Sequence, residues 1–165
     1  VGSDLLTITD EPSIVRGLGS RYYDGDGLAA KSMPIFTNGV LNNYYTDVYY
    51  GNKLGRTPNA GGSSKLIVKP GLRSGAEIEA SLDRAILVTN WLGGNANPTT
   101  GDFSLGVAGW LIENGKRVKS ITEMNISGNY NDLLMNLTEV GNDPWIHSSF
   151  RTPTMVFDKV SFSGS

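Results

Sequence analysis

Leu92 to Thr122 reads LGGNANPTTGDFSLGVAGWLIENGKRVKSIT, and its punctuation decides the fold. Glu113-Asn114-Gly115-Lys116 sits in the middle of the run that follows Asp102-Phe103-Ser104-Leu105. Asn-Gly between two apolar, extended runs is a strong hairpin signal, because both residues tolerate positive φ in a type I′ turn. Ahead of it, the nine residues from Gly93 to Gly101 form a loop by composition, since Gly, Asn and Pro supply the dihedrals that turns need. A conformationally demanding loop therefore feeds a long antiparallel hairpin. A well-made hairpin with a glycine-rich approach accounts for this spacing by itself. Loops held on rigid strands are also where binding surfaces usually sit.

Working outward, Leu5-Leu6-Thr7-Ile8-Thr9 reads as a short strand, and Met33 to Tyr45 carries a second hairpin with Asn38-Gly39 at its tip. Thr46 or Asp47 can cap a short helix that runs to Leu54, against the strand preference of Val48, Tyr49 and Tyr50. Lys65 to Lys69 alternates like a strand and Pro70-Gly71 stops it. Ser74-Gly75-Ala76-Glu77 has capping-box spacing, after which Ile78, Leu82 and Ile86 share one helical face. Leu87 to Trp91 returns to strand. Beyond the hairpin, Met124 to Ser127 is extended, and Asn129 can cap a helix whose stripe is Leu133, Leu134, Leu137 and Val140, ended by Gly141. Thr154 to Ser163 closes the chain as a strand. The sum is an α+β domain: a mainly antiparallel, hairpin-rich sheet, open to closing as a barrel, with two or three short helices.

At 165 residues the chain reads as a single domain, 1–165. Hydrophobic residues make up 39% and charged residues 18%, which places it among globular rather than disordered proteins. A formal net charge of -2 supplies no electrostatic footprint for direct nucleic-acid contact. With no cysteine, disulfides and thiolate metal sites are excluded. No apolar run approaches the ~20 residues of a membrane span and no signal peptide is present, so a cytoplasmic protein with no membrane contact is the expectation. Residue 1 is Val rather than Met and a strand-like run follows at once, which points to a piece of a longer chain.

The residues by themselves show no self-contained active site. His147 is the single histidine, and nothing in the sequence sets a nucleophile beside it. Catalytic zinc needs about three His or carboxylate ligands, which one histidine does not begin to assemble. Asp24-Gly25-Asp26-Gly27 lacks the further oxygen ligands and closing Glu of a calcium loop, and reads as a pair of turns. The paired tyrosines, Tyr22-Tyr23, Tyr44-Tyr45 and Tyr49-Tyr50, are expected to pack on a pleated sheet, with a binding surface as the other use of such rings.

Several blocks fall in one order across nearly the whole chain: Asp24-Gly25-Asp26-Gly27-Leu28, Asn38-Gly39-Val40-Leu41, Lys53-Leu54-Gly55, Leu87-Val88-Thr89, the run from Gly93 through Asn97-Pro98-Thr99-Thr100-Gly101-Asp102-Phe103-Ser104 to Gly106, Ile112-Glu113-Asn114-Gly115, Ile126-Ser127-Gly128-Asn129, and Val140-Gly141-Asn142-Asp143. Together they resemble the C-terminal domain of the TldD/PmbA family, also known as modulators of DNA gyrase. The resemblance implies a zinc metallopeptidase system acting on peptides and unfolded protein segments. In that family a TldD-type subunit carries a His-Glu-x-x-x-His helix N-terminal to this domain, and a TldE/PmbA-type partner lacks it. The C-terminal domain is expected to offer sheet edges and loops along which an extended substrate lies, as in β-augmentation. TldD-type chains also supply a cysteine ligand near the C-terminus. The corresponding loop here, His147 to Thr152, has none, which argues for the TldE/PmbA type, with His147 the weak candidate for a substitute metal ligand.

The resemblance thus implies no cofactor in this chain, zinc in a catalytic partner, and a heterodimer with a TldD-like subunit or a homodimer. Asn97, Thr100, Gly101, Asp102, Phe103 and Ser104 are the residues expected to shape the substrate channel or subunit interface, with Asp102 as an acceptor that fixes the loop's amides. The alternative is a non-enzymatic binding or regulatory module of the gyrase-modulator kind.

Overall fold

A computed structural model describes residues 1–164. In chain order the elements are β1 (Ile8–Asp10), β2 (Met33–Thr37), β3 (Val40–Leu41), α1 (Val48–Leu54), β4 (Leu66–Val68), α2 (Gly75–Ala80), β5 (Arg84–Ala96), β6 (Asp102–Glu113), β7 (Lys116–Asn129), α3 (Tyr130–Met135), β8 (Leu137–Val140), β9 (Phe150–Arg151), β10 (Met155–Phe157) and β11 (Ser161–Ser163). The α+β expectation holds, with mostly antiparallel sheets and three short helices. The sheets are open and do not close as a barrel. The chain divides into two units, one of residues 1–3, 71–142 and 154–164, the other of residues 4–70 and 143–153.

The first unit is built on the long hairpin. Asn114 and Gly115 turn with φ of 49° and 71°, as a type I′ turn requires. The strands on either side run for 12 and 14 residues, and the sheet order is β11-β7-β6-β5. Phe103, Val107 and Ile126 form one core cluster in it, with Val88, Leu105, Met124, Leu133, Val160 and Phe162 packed around them. Glycines Gly93 and Gly94, read as loop, are strand: β5 continues to Ala96. Thr89 and Leu92 are extra residues bulged out of the β5–β6 pairing. Gly94 adopts φ 142°, and a Cβ there would lie 2.2 Å from the Ser104 carbonyl oxygen. These glycines therefore serve a bulge and a close strand-to-strand approach rather than a loop.

Two predicted helices are shorter than their apolar spacing suggests. The capping box at Ser74 and Glu77 is present, and Ile78 is buried beneath it. Helix α2 nevertheless ends at Ala80, and Ile86 is in β5, paired with Leu111. The hairpin tip ends the helix: the Asn114 amide donates to the Asp83 carbonyl at 2.7 Å and the Gly115 amide to that of Leu82 at 2.9 Å. Likewise Asn129 caps α3, but Leu137 and Val140 lie in β8 and pair with Phe157 and Met155. Buried apolar residues three apart suit either a helix or a bulged strand, and an available strand partner decides between them. The predicted closing strand is two strands, β10 on β8 and β11 on β7, broken at Lys159 with φ 54°.

The second unit is a five-stranded sheet of order β3-β2-β1-β4-β9, antiparallel except for β4 with β9. Asn38-Gly39 turns its hairpin at φ 48° and 76°. Asp47 caps α1 by accepting from the Tyr50 amide, and Gly55 ends it in the left-handed region. The Asp24 to Gly27 turns form around one carboxylate, which accepts from the amides of Asp26, Leu28 and Gly61. The Gly61 amide is the largest influence holding that carboxyl below its ordinary value. The tyrosines do not pack on the sheet as expected. Tyr22, Tyr23, Tyr44, Tyr49 and Tyr50 are exposed, while Tyr45 donates its hydroxyl to buried Asp10 at 2.9 Å. Among the described residues no helix is long and apolar enough to cross a membrane.

Candidate functional site

The loop from Asn97 to Gly101 is closed by its own backbone. The Asn97 amide donates to the Asp102 carbonyl at 2.8 Å, and the Gly101 amide returns to the Asn97 carbonyl at 2.8 Å. Inside the turn, the Asn97 side-chain oxygen accepts from the Thr99 amide at 2.9 Å, the Asx arrangement that Asn favours at turns. Gly101 supplies φ 82°.

Asn129 then ties this loop to the far end of the hairpin. Its side-chain nitrogen donates to the Thr100 carbonyl at 2.9 Å and to Asp102 Oδ1 at 3.0 Å, while its Oδ1 caps α3 by accepting from the Asn131 amide. Thr100 Oγ1 donates to Asp102 Oδ2 at 2.7 Å. The Asp102 carboxylate is thus held below its ordinary pKa, first by Thr100 and then by Asn129. That ionised acceptor suits a structural strut rather than a proton carrier. It differs from the expected role in one respect: the side chain that takes the loop's amides is Asn97, and Asp102 takes a hydroxyl and a side-chain amide.

Of the residues singled out from sequence, Asn97, Thr100, Gly101 and Asp102 are brought together here. Phe103 turns the other way, into the core at 6% exposure, with the Tyr130 ring 4.8 Å from its own. Ser104 leaves the loop and accepts from the Asn125 side chain at 3.0 Å. His147 belongs to the second unit, where it is exposed and meets Trp145 edge-on at 5.1 Å. Among the described residues no three His, Cys, Asp or Glu side chains gather as metal ligands.

Two features escape sequence reading. One is the lock role of Asn129, recognised only as a helix cap. The other is which of the expected sheet edges is open. β5 is the outer strand of its sheet, and residues 89 to 96 are all exposed, with Trp91 at 63% and Leu92 at 55%. An outer strand leaves one line of N–H and C=O groups unpaired by its own sheet, a template for another extended chain. Its two bulges break that line into short windows.

Residues 1–164 match the family profile described as PmbA/TldA metallopeptidase C-terminal domain. A Haemophilus influenzae protein named metalloprotease PmbA homolog is 33% identical over 165 residues, covering 98% of this chain and 37% of that protein. A Saccharolobus solfataricus protein named zinc metalloprotease TldD homolog is 25% identical over 164 residues, covering 91% and 37%. The crystal structure of a Bacteroides thetaiotaomicron protein named as a modulator of DNA gyrase superposes with a TM-score of 0.96 at 45% identity, over 100% of this chain and 38% of that one. The chain therefore spans well under half the length of each of these relatives.

Proposed function

Because the chain belongs to the PmbA/TldA metallopeptidase C-terminal-domain family, we propose that it is the substrate-facing domain of a TldE/PmbA-type subunit. In this reading it is the C-terminal, single domain of a longer chain and pairs with a TldD-type subunit that holds the zinc. It shapes the channel and interface through which extended peptides and unfolded segments pass.

The observation that carries the reading is the exposed β5 edge. Backbone hydrogen bonds along an edge strand recognise an extended chain without regard to its side chains, which suits substrates of varied sequence. The edge is useful only if its geometry is kept. The Asn97–Asp102–Asn129 network does this by fixing β6 to β7 where the β5–β6 connection begins. The absence of a cysteine between His147 and Thr152 favours the TldE/PmbA assignment over the TldD type.

The edge reading is tested by hydrogen exchange on the full-length protein in its assembly. An excess of unfolded peptide is expected to slow exchange at amides between Thr89 and Ala96, and a folded protein of the same composition is not. Unchanged exchange along β5 with peptide bound elsewhere would remove the edge from the mechanism.

A further inference from the structure

We propose that the β5 edge selects extended peptides that carry an aromatic residue, whose ring seats over Gly94 beside Trp91. This preference rests on the edge reading above and names the substrate class for it. On the face of the sheet that carries the Phe103, Val107 and Ile126 cluster, Leu105 pairs with Ile126 on β7 and with Gly94 on β5. Ile126 is buried and Leu105 packs against its cluster, so an apolar row runs outward across the sheet and stops at a residue with no side chain. The row on one side, Met124 with Val107, ends in Trp91, and the row on the other, Gly128 with Phe103, ends in Ala96. Residues paired across strands share a face. The edge therefore has a notch, with the Gly94 backbone as its floor, Leu105 behind it, and Trp91 and Ala96 at its sides.

The notch is fixed by the fold. A Cβ at Gly94 would lie 2.2 Å from the Ser104 carbonyl oxygen and 2.7 Å from the Leu105 Cα, both backbone atoms of β6, so the position admits only glycine. Gly93, at φ 107°, adds no side chain of its own. Trp91 is 63% exposed although its partner Val107 is fully buried, which puts the indole at the rim of the sheet rather than in the core. The bulges at Thr89 and Leu92 interrupt pairing on the Trp91 side, and the regular stretch that follows them, Gly93 to Ala96, contains the notch.

The chemistry of the notch picks its occupant. A glycine in an edge strand leaves backbone bare, and an aromatic side chain on the neighbouring strand covers it best, because a flat ring lies along the peptide plane and still reaches the next side chain. A ring opposite Gly94 meets Leu105 behind the glycine and Trp91 beside it, where two aromatic rings gain an offset or edge-to-face contact. A saturated ring of the same size is thicker and has no such contact to make. A charged side chain finds no counter-charge on the strand or its loop, since residues 85–101 contain no ionisable side chain. It would lose hydration against Leu105 with nothing in return. Backbone pairing along β5 thus supplies the affinity common to extended peptides, and the notch discriminates among them.

The test uses short peptides of Ser, Thr and Gln with one central Phe, cyclohexylalanine or Lys, titrated onto the full-length protein in its assembly. A single bulky residue in a featureless host lets each peptide slide until that residue finds the notch. Hydrogen exchange in short exposures gives the peptide concentration that half-protects the amides from Thr89 to Ala96. The Phe peptide is expected to need about fivefold less than the cyclohexylalanine peptide, the gain of one aromatic pair, and the Lys peptide to need the most. In Trp91→Ala the advantage of Phe over cyclohexylalanine is expected to vanish while all three peptides still protect β5 at higher concentration, and Trp91→Phe is expected to restore it. Equal half-protection by Phe and either comparator, or a Phe advantage untouched in Trp91→Ala, overturns the aromatic notch and leaves the edge reading in place. The wild-type series decides the first of these without any variant. Protection by none of the peptides removes the edge reading, and the notch with it.

Discussion

Gly109→Val is expected to lose at least about 3 kcal/mol of stability in chemical denaturation, enough to unfold a marginal domain. Gly109 pairs with Val88 next to the first β5 bulge. A Cβ at Gly109 would stand 1.8 Å from the Leu87 carbonyl oxygen, 2.9 Å from its carbon and 3.1 Å from the Val88 Cα. All three are backbone atoms, so no rotamer change relieves the overlap, and β5 must separate from β6. The site is also buried, which leaves the displaced carbonyl without water. Gly106→Ala in the same strand is the control. Its nearest neighbour is the Leu92 Cβ at 3.2 Å, a contact that a shift of a few tenths of an ångström in the exposed, bulged Leu92 backbone relieves, and a loss under about 1 kcal/mol is expected. Equal losses for the two variants would show that the β5–β6 approach is not as tight as described.

Phe103→Ala is expected to cost about 3–5 kcal/mol, the range for emptying a buried phenylalanine site. Phe103 packs with Val107 and Ile126 and lies against Tyr130. A Cβ on Gly128 would be 3.4 Å from its ring tip, so the site is filled on the β7 side as well. The loss should extend to the Asn97–Asn129 network, because Asp102 and Tyr130 each adjoin it in sequence. Phe103→Leu keeps most of the volume and should cost under about 1.5 kcal/mol. Peptide handling that survives Phe103→Leu unchanged would mark the ring as core beneath the channel. A large loss of peptide binding at unchanged stability would put the ring in the channel wall.

Local chemistry was legible in the sequence wherever a few neighbouring residues determine the backbone. Asn38-Gly39 and Asn114-Gly115 made their turns, Asp47 and Asn129 capped their helices, and Ser74 with Glu77 closed the capping box. What was not legible depends on distant partners. Leu137 and Val140 look helical until β10 supplies a strand. Gly93 and Gly94 look like loop until Ser104 is placed beside them. The Asn129 lock shows the limit best. Counting outward from the Glu113–Lys116 pair sets Ser127 opposite Asp102, yet two extra residues in β7 slide Asn129 into that place. Glu123, at φ 62°, belongs to one of those irregularities, and nothing in its side chain announces it.

The family assignment defines the chemistry at issue, whereas the place of this chain in that chemistry rests on which residues it lacks. The most direct measurement is to purify the full-length protein from its source at native level, alone and with whatever accompanies it. Zinc content and hydrolysis of an unfolded peptide are then read on both preparations. The account predicts a stoichiometric partner carrying His-Glu-x-x-x-His, zinc and peptidase activity only in the pair, and neither altered by His147→Ala. Zinc and activity in this protein alone, abolished by His147→Ala, would contradict it, as would recovery of gyrase with no such partner.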